Sequence, residues 1–267
     1  MMLGLIHYRA PGDTTEEFVR WAADAGFECV ELRWTDLMPE ELEEPDYETH
    51  CEDLKDLVDE LGLTVSAVSL GNDFVLLDEG LINEQVMRAR RIAELTLMMD
   101  CNIFRTEGGQ PKDSVPEGRY AEAIIKSVRA CLPMCEELNM HLAIDNHGVV
   151  SNDYELQLEV FEAVDSEYVG ANMDTMNYRW YGYEVEKLPE IYQAIAPWTK
   201  HTHMKDGRNS RPDYKGAALG EGEIPLDVAV QALQDNGYDG AYCAEYEGSE
   251  DGDVGYRKCL EWMRENV

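Results

Sequence analysis

The chain has 267 residues, 44% of them hydrophobic, enough for one large core, and no Pro- or Ser-rich linker or low-complexity tract divides it. Fifty-five acidic residues against 22 basic ones leave a formal net charge of −33. That field repels phosphate backbones and anionic bilayers, which argues against nucleic acid and membrane as partners.

The acid is spread along the whole chain, as on a charged folded surface rather than a disordered tail. Two origins fit it: a protein built for high salt, where screening removes self-repulsion, and an ordinary acidic enzyme. The first residues, Met1-Met2-Leu3-Gly4-Leu5-Ile6-His7, show neither the basic region nor the cleavage site of a signal peptide. No apolar run approaches the length of a membrane span. Seven cysteines, an odd number without framework spacing, complete the expectation of a reduced, cytoplasmic protein. Cys131 and Cys135 lie one helical turn apart, but no second pair accompanies them, so packing is their expected role.

Short β-rich runs alternate with longer helical ones along the chain. The strand runs are Leu3–His7, Glu28–Arg33, Thr64–Leu70, Asn102–Glu107, His141–Asn146, Val169–Asp174, Thr199–Lys205 and Gly240–Glu245. Amphipathic helical patterns lie between them, among them Thr15–Ala25, Tyr47–Leu61, Glu84–Met98 and Tyr120–Leu138. Eight strand–helix units at this spacing predict a single-domain (β/α)8 TIM barrel over residues 1–267. Glycines after the helices, in Ala25-Gly26-Phe27, Leu61-Gly62-Leu63 and Asn236-Gly237-Tyr238, mark short turns at the barrel bottom. The segments after the strands are longer, as expected of a top face that carries the site. An open doubly wound sheet is the competitor, but no Gly-rich nucleotide loop follows the first strand.

Residues two apart on a strand share a face. Asp145 and His147 share a phase at the end of the fifth strand, and Asp174 ends the sixth after Gly170 and Asn172. His201, His203 and Lys205 share a phase on the seventh; Glu245 and Glu247 follow Ala241 and Cys243 on the eighth. Charged groups enter a barrel core only when paired, protonated or bound to metal. Each acid alone could pair with a lysine or cap the next helix. Carboxylates and an imidazole converging from four successive strands suit one divalent cation, Mn2+, Mg2+, Co2+ or Zn2+.

The segments Leu142-Ala143-Ile144-Asp145-Asn146-His147, Asn172-Met173-Asp174-Thr175-Met176-Asn177, His201-Thr202-His203-Met204-Lys205-Asp206 and Leu219-Gly220-Glu221-Gly222 resemble those of the xylose-isomerase-like barrels, in particular the sugar phosphate isomerase/epimerase group. The resemblance implies a metal, Mn2+ first among the candidates, held by Asp145, Asp174, His203 and Glu245. His203 is preferred to His201 because it lies nearer the strand's C-terminal end. Asp145 departs from the family's usual Glu, so its shorter side chain either draws the ion toward the fifth strand or gives up direct ligation. That departure also puts the family's two-glutamate epimerase mechanism in question.

Such a site supports proton abstraction beside a carbonyl of a sugar, keto sugar or polyol, with a metal-stabilised enediolate. Glu245 and His147 are the candidate proton-transfer pair, and Lys205 faces the developing oxyanion, unless it only pairs with Asp145 or Glu245. Asn177, His7, Trp180 and Glu221 are candidate substrate contacts. Met176–Tyr181 would offer aromatic faces to a sugar or simply pack on itself, and the alternative for Glu221 is only to order its own loop. Arg33, Trp34 and Glu107 have weaker claims; His50 is expected on the surface and His141 at the barrel bottom. Isomerase and epimerase outcomes come first, with β-elimination by a lyase or dehydratase and a non-catalytic carbohydrate-binding barrel as alternatives. The multi-zinc DNA-repair endonucleases on this fold are disfavoured by charge. A homo-oligomer is left open.

Overall fold

The computed structural model describes all residues, Met1–Val267. The barrel strands are β1 (Met2–Ile6), β2 (Cys29–Arg33), β3 (Thr64–Ser69), β4 (Ile103–Thr106), β5 (His141–Asp145), β6 (Val169–Asp174), β7 (Thr199–Met204) and β10 (Ala241–Ala244). They close as one parallel barrel, β10 pairing with both β7 and β1. Between β7 and β10 a two-stranded antiparallel hairpin is inserted, β8 (Asp206–Arg208) and β9 (Lys215–Ala217). The main outer helices are α1 (Thr15–Ala25), α2 (Asp46–Glu60), α3 (Glu79–Met98), α4 (Tyr120–Leu138), α5 (Tyr154–Val164), α6 (Leu188–Ile195), α7 (Leu226–Asp235) and α8 (Gly252–Asn266).

The single-domain barrel matches the sequence reading, and the differences have local causes. Helix α3 starts five residues before its predicted apolar pattern because Asp78 caps it, accepting from Leu81 N at 3.0 Å. The hairpin escaped prediction because its three-residue strands carry Gly, Arg and Lys instead of alternating apolar residues. Gly26 ends α1 at φ 92°, as its turn requires; Asn139 (φ 54°) and Asp165 (φ 48°) do the same after α4 and α5, where no glycine stands. His50 is half-buried rather than on the surface, its Nε2 donating to the Asp36 carbonyl at 2.9 Å.

One phase of each strand packs outward under the helices: Leu32, Phe104, Leu142 and Met173 are fully buried there. The other phase fills the barrel. Its lower layer is small, with Cys29, Ala241 and Cys243. Above it the filling turns polar, with Glu31, Arg105, Asp145, Asn172, His201 and His203 all buried. All seven cysteines are buried and free, and Cys131 and Cys135 pack inside α4. No helix is long and apolar enough to cross a membrane.

Of the surface cations, Arg91 meets three carboxylates and Lys258 two, and most of the acid has no cation to meet. If this surface is an adaptation to high salt, the thermal midpoint should rise by many degrees between low salt and molar KCl, measured by circular dichroism. A flat response would remove that origin and leave the site untouched.

Candidate metal centre

Strand register sets the heights of the polar residues. Asp145 pairs with Asn172, which pairs with His201; two residues on, Asp174 pairs with His203, which pairs with Cys243. Asp145 therefore sits one step below Asp174 and His203. Its short side chain meets what lies at that level: Oδ1 accepts from Asn172 Nδ2 at 2.8 Å and Oδ2 from Arg105 Nη1 at 3.1 Å.

Asp174 is locked at the end of β6. Asn146 accepts from its backbone N at 2.8 Å and donates to its carbonyl at 3.0 Å. Its Oδ1 accepts from Met176 N and Asn177 N, both at 2.8 Å, and caps the short helix Asn177–Tyr181. The other oxygen, Oδ2, is buried with no hydrogen-bond partner. Burial, with Glu245 and Asp145 outweighing the nearby Lys205, pushes this carboxyl up to about 8.

His203 carries the second unsatisfied atom. Its Nε2 lies 2.7 Å from Glu31 Oε2, while Nδ1 faces Glu245 Oε2 at 3.1 Å without hydrogen-bond alignment. Burial disfavours its charge, but Glu31, Glu245 and Asp145 prevail and push it up to about 10. Lys205 Nζ, also buried, lies 2.9 Å from Glu245 Oε1 and 3.0 Å from Glu247 Oε2. Its backbone is fixed by Thr175, whose hydroxyl accepts from Lys205 N at 2.9 Å and donates to its carbonyl at 2.6 Å. Burial would raise the Glu245 carboxyl; Lys205 and His203 overcome that and hold it well below the usual carboxylate range.

Donor atoms of Asp145, Asp174 and His203 lie within 4.8 Å of one another. With Asp174 Oδ2 and His203 Nδ1 both without a hydrogen-bond partner, these residues fit a divalent cation, which would take the place of the protons that burial favours on Asp174 and the neighbouring carboxylates favour on His203. Glu245 borders the group, its Oε1 turned to Lys205. Glu31, His201 and His203 form a second convergent group, but there one carboxylate oxygen already bonds both imidazoles at 3.0 and 2.7 Å, and Arg105 Nε bonds the other at 2.7 Å. Those atoms already satisfy one another, while His201 Nδ1 is buried without a partner.

Glu31 and Arg105 were not read as site residues from sequence. Their signal was the same two-residue phase used elsewhere: Cys29-Glu31-Arg33 on β2 and Ile103-Arg105-Glu107 on β4. Each is a charge in mid-strand that must find a partner.

The cluster opens into a cavity of about 360 Å3 at the C-terminal ends of the strands, walled by Glu31, Arg105, Asp145, His147, His203 and Glu245. His7, Arg33, Glu107 and Glu247 share its wall. His147 is partly exposed, Nδ1 4.0 Å from Asp145 Oδ2. His7 stacks on Phe18 at 4.0 Å and bonds Asp36 at 2.9 Å.

The other sequence candidates stand apart from that wall. Asn177 is buried, its Nδ2 unpartnered, in the helix that Asp174 caps. Trp180 lies under Arg211 at 5.3 Å. Trp34 lies under Arg88. Glu221 is exposed and pairs with Lys258 at 3.1 Å. Asp206, not Glu221, organises the Leu219–Gly222 loop: its carboxylate accepts from the backbone N of Gly207, Gly220, Gly222 and Ile224. A Cβ on Gly222 would lie 1.9 Å from Asp206 Oδ1, so only glycine closes this loop.

A family model described as xylose isomerase-like TIM barrel matches residues 19–266. The chain belongs to that family. No curated protein sequence matches it. Among solved xylose isomerase-like barrels, it resembles a D-psicose 3-epimerase from Clostridium cellulolyticum H10, crystallised with D-tagatose, at 16% identity and TM-score 0.80, with 100% of this chain and 99% of that one covered. It also resembles the probable 3-DHS dehydratase AsbF from Bacillus anthracis, at 18% identity and TM-score 0.79, with 99% of both chains covered. A third likeness is the IolI protein, crystallised with a zinc atom, at 16% identity and TM-score 0.79, with 100% and 96% covered. At these identities the likeness shows the fold, shared by barrels that epimerise and barrels that dehydrate.

If Asp174 is a ligand, Asp174→Asn should abolish stoichiometric Mn2+ or Zn2+ binding in titration and elemental analysis, while Oδ1 goes on capping the helix. Full occupancy in that variant would remove Asp174 from the ligand set.

Proposed function

We propose that the protein is a metal-dependent isomerase or epimerase of a sugar, keto sugar or polyol, working by proton abstraction beside a carbonyl. One observation carries this reading. The Glu245 carboxylate, on the wall of the cavity of about 360 Å3, is held ionised by Lys205 and His203 and borders a cluster whose buried Asp174 Oδ2 and His203 Nδ1 lack hydrogen-bond partners.

Asp174, His203 and Glu245 would hold the ion, with Asp145 one strand level below Asp174 and His203. A bound divalent cation supplies Lewis-acid polarisation of a carbonyl and its neighbouring hydroxyl. Glu245, ionised at neutral pH, accepts the carbon-bound proton at Oε2. Lys205 Nζ, buried, off the cavity wall and fixed between Glu245 and Glu247, keeps that carboxylate charged. His147, on the cavity wall, delivers a proton taken from solvent, and Glu245 releases to solvent the one it accepted. Delivery to the neighbouring carbon gives isomerisation; delivery to the opposite face gives epimerisation.

Elimination is the second reading, favoured by Asp145. Both its oxygens are engaged, by Asn172 and Arg105, so Asp145 is not free to act as a second base facing Glu245. The test incubates Mn2+-loaded protein with ketoses, keto-inositols and 3-keto-glycosides in D2O, reading deuterium uptake and products by NMR. A stereoisomeric or carbonyl-shifted product supports the proposal, and an enone or released aglycone moves it to elimination. Metal and sugar binding without exchange leaves a carbohydrate-binding barrel.

A further inference from the structure

The hairpin inserted after β7 carries an arrangement that its own stability does not explain. In its antiparallel register Arg208 stands directly opposite Lys215. Like charges in that relation repel across the pair and weaken a short ribbon. A chain with 55 acidic residues and 22 basic ones could readily neutralise them, yet neither cation forms an ion pair. Arg208 reaches only the Glu221 carbonyl.

A third such cation faces them. Arg9, in the loop after β1, donates to the Glu247 carbonyl at 3.3 Å and meets no carboxylate. Arg9, Arg208 and Lys215 line one open groove of about 640 Å3 together with Tyr214, Glu247 and Ser249. Its one acidic side chain is already engaged: Glu247 Oε2 accepts from Tyr214 at 2.7 Å and meets Lys205 Nζ at 3.0 Å. Glu247 also stands on the wall of the metal-centre cavity, so groove and cavity share a boundary.

Charge is thus sorted along one surface. The cavity is rich in carboxylates suited to a cation, and beside it three cations without carboxylate partners line a space open to ligand. We propose that this groove is an oxyanion subsite, which takes a phosphate or carboxylate group carried by the sugar substrate while its carbonyl end lies in the cavity. This rests on the sugar-enolising reading above and narrows its substrate to the acidic or phosphorylated members of the class. Two planar guanidinium groups, with Lys215 as a compact point charge, suit a multi-oxygen anion. The otherwise acidic surface would direct such a group to this one basic rim.

Two measurements test it, and they fail separately. In the first, inorganic phosphate is titrated into the full-length chain in chelator, so that no metal recruits the anion, with amide shifts as the readout. Saturable binding is expected, with shifts at Gly216 and Ser249. The double variant Arg208→Ala/Lys215→Ala should weaken it at least tenfold, and the control Lys200→Ala/Arg264→Ala should leave it unchanged. Linear, unsaturable shifts, meaning an adventitious ion only, or equal binding by the double variant would overturn the subsite.

The second measurement compares deuterium exchange into a ketose with exchange into its terminal phosphate ester and its terminal carboxylic acid. One charged form should show a KM at least tenfold lower than the neutral sugar, an advantage absent from the double variant. Exchange without that advantage would overturn the assignment to substrate, even if free phosphate binds. If no ketose exchanges, the enolising reading fails, while the phosphate titration still decides the groove.

Discussion

Arg105→Met should destabilise the metal-free protein by about 3–5 kcal/mol, the usual cost of stripping one partner from a buried ion pair. The guanidinium joins Glu31 at 2.7 Å and Asp145 at 3.1 Å, and those two carboxyl groups are 2% and 1% exposed. Without it, Asp145 keeps only Asn172 as a hydrogen-bond partner and Glu31 keeps only its two imidazoles. Methionine fills similar volume, so the loss reports charge rather than a cavity. Arg105→Lys should fall between, because an ammonium cannot span two carboxylates in a fixed fork.

Added Mn2+ should recover part of the deficit, since the ion brings positive charge to the same cluster. Occupancy at a hundred times Kd stabilises a native state by about 2.7 kcal/mol. The measurement is urea unfolding of parent and variants, with and without Mn2+. If Arg105→Met unfolds within about 1 kcal/mol of the parent in chelator, the Glu31–Arg105–Asp145 chain is not what holds the barrel centre together.

That network shows where sequence reading reached and where it stopped. The barrel was legible because eight β-rich runs, the helical periods between them and glycine turns such as Gly26 all act locally. Residues at the strand ends were legible because an inward phase finishing in Asp174, His203 or Glu245 has few uses other than a shared site. Mid-barrel charges were harder to place. Glu31 is fixed by His201 and His203, 170 and 172 residues away, and Arg105 by Asp145, 40 residues away. Pairings across a closed barrel depend on register and stagger, which alternation along one strand does not encode. The level of Asp145 was lost for the same reason. Glu221 and Trp180 drew attention by motif and aromatic content, yet Glu221 points to Lys258 and Trp180 to Arg211, outside the cavity wall. The Leu219–Gly222 loop does have an organiser, but it is Asp206, whose role emerges only when four backbone N–H groups converge on it.

Glu245→Gln should lower deuterium exchange into substrate by about 10²–10⁴-fold, the range for losing a positioned acid–base group. The amide is nearly isosteric and can still accept from Lys205, so the fold and the Lys205–Glu247 contact at 3.0 Å should persist. What it cannot do is take a proton from carbon. The substitution also removes one negative charge beside His203, 3.1 Å from Nδ1, so metal affinity must be followed in the same samples. Lost exchange with Mn2+ occupancy held by excess ion assigns Glu245 to proton transfer. Exchange that returns to the parent rate once occupancy is restored would make Glu245 a ligand alone and pass the base to another group. His147→Gln separates the two halves of the transfer. If His147 only delivers the proton, the variant should still wash deuterium into the substrate carbon while product formation falls, because abstraction by Glu245 and its reversal remain intact. Equal loss of exchange and product would place His147 in the abstraction step and overturn the division of labour proposed for the pair.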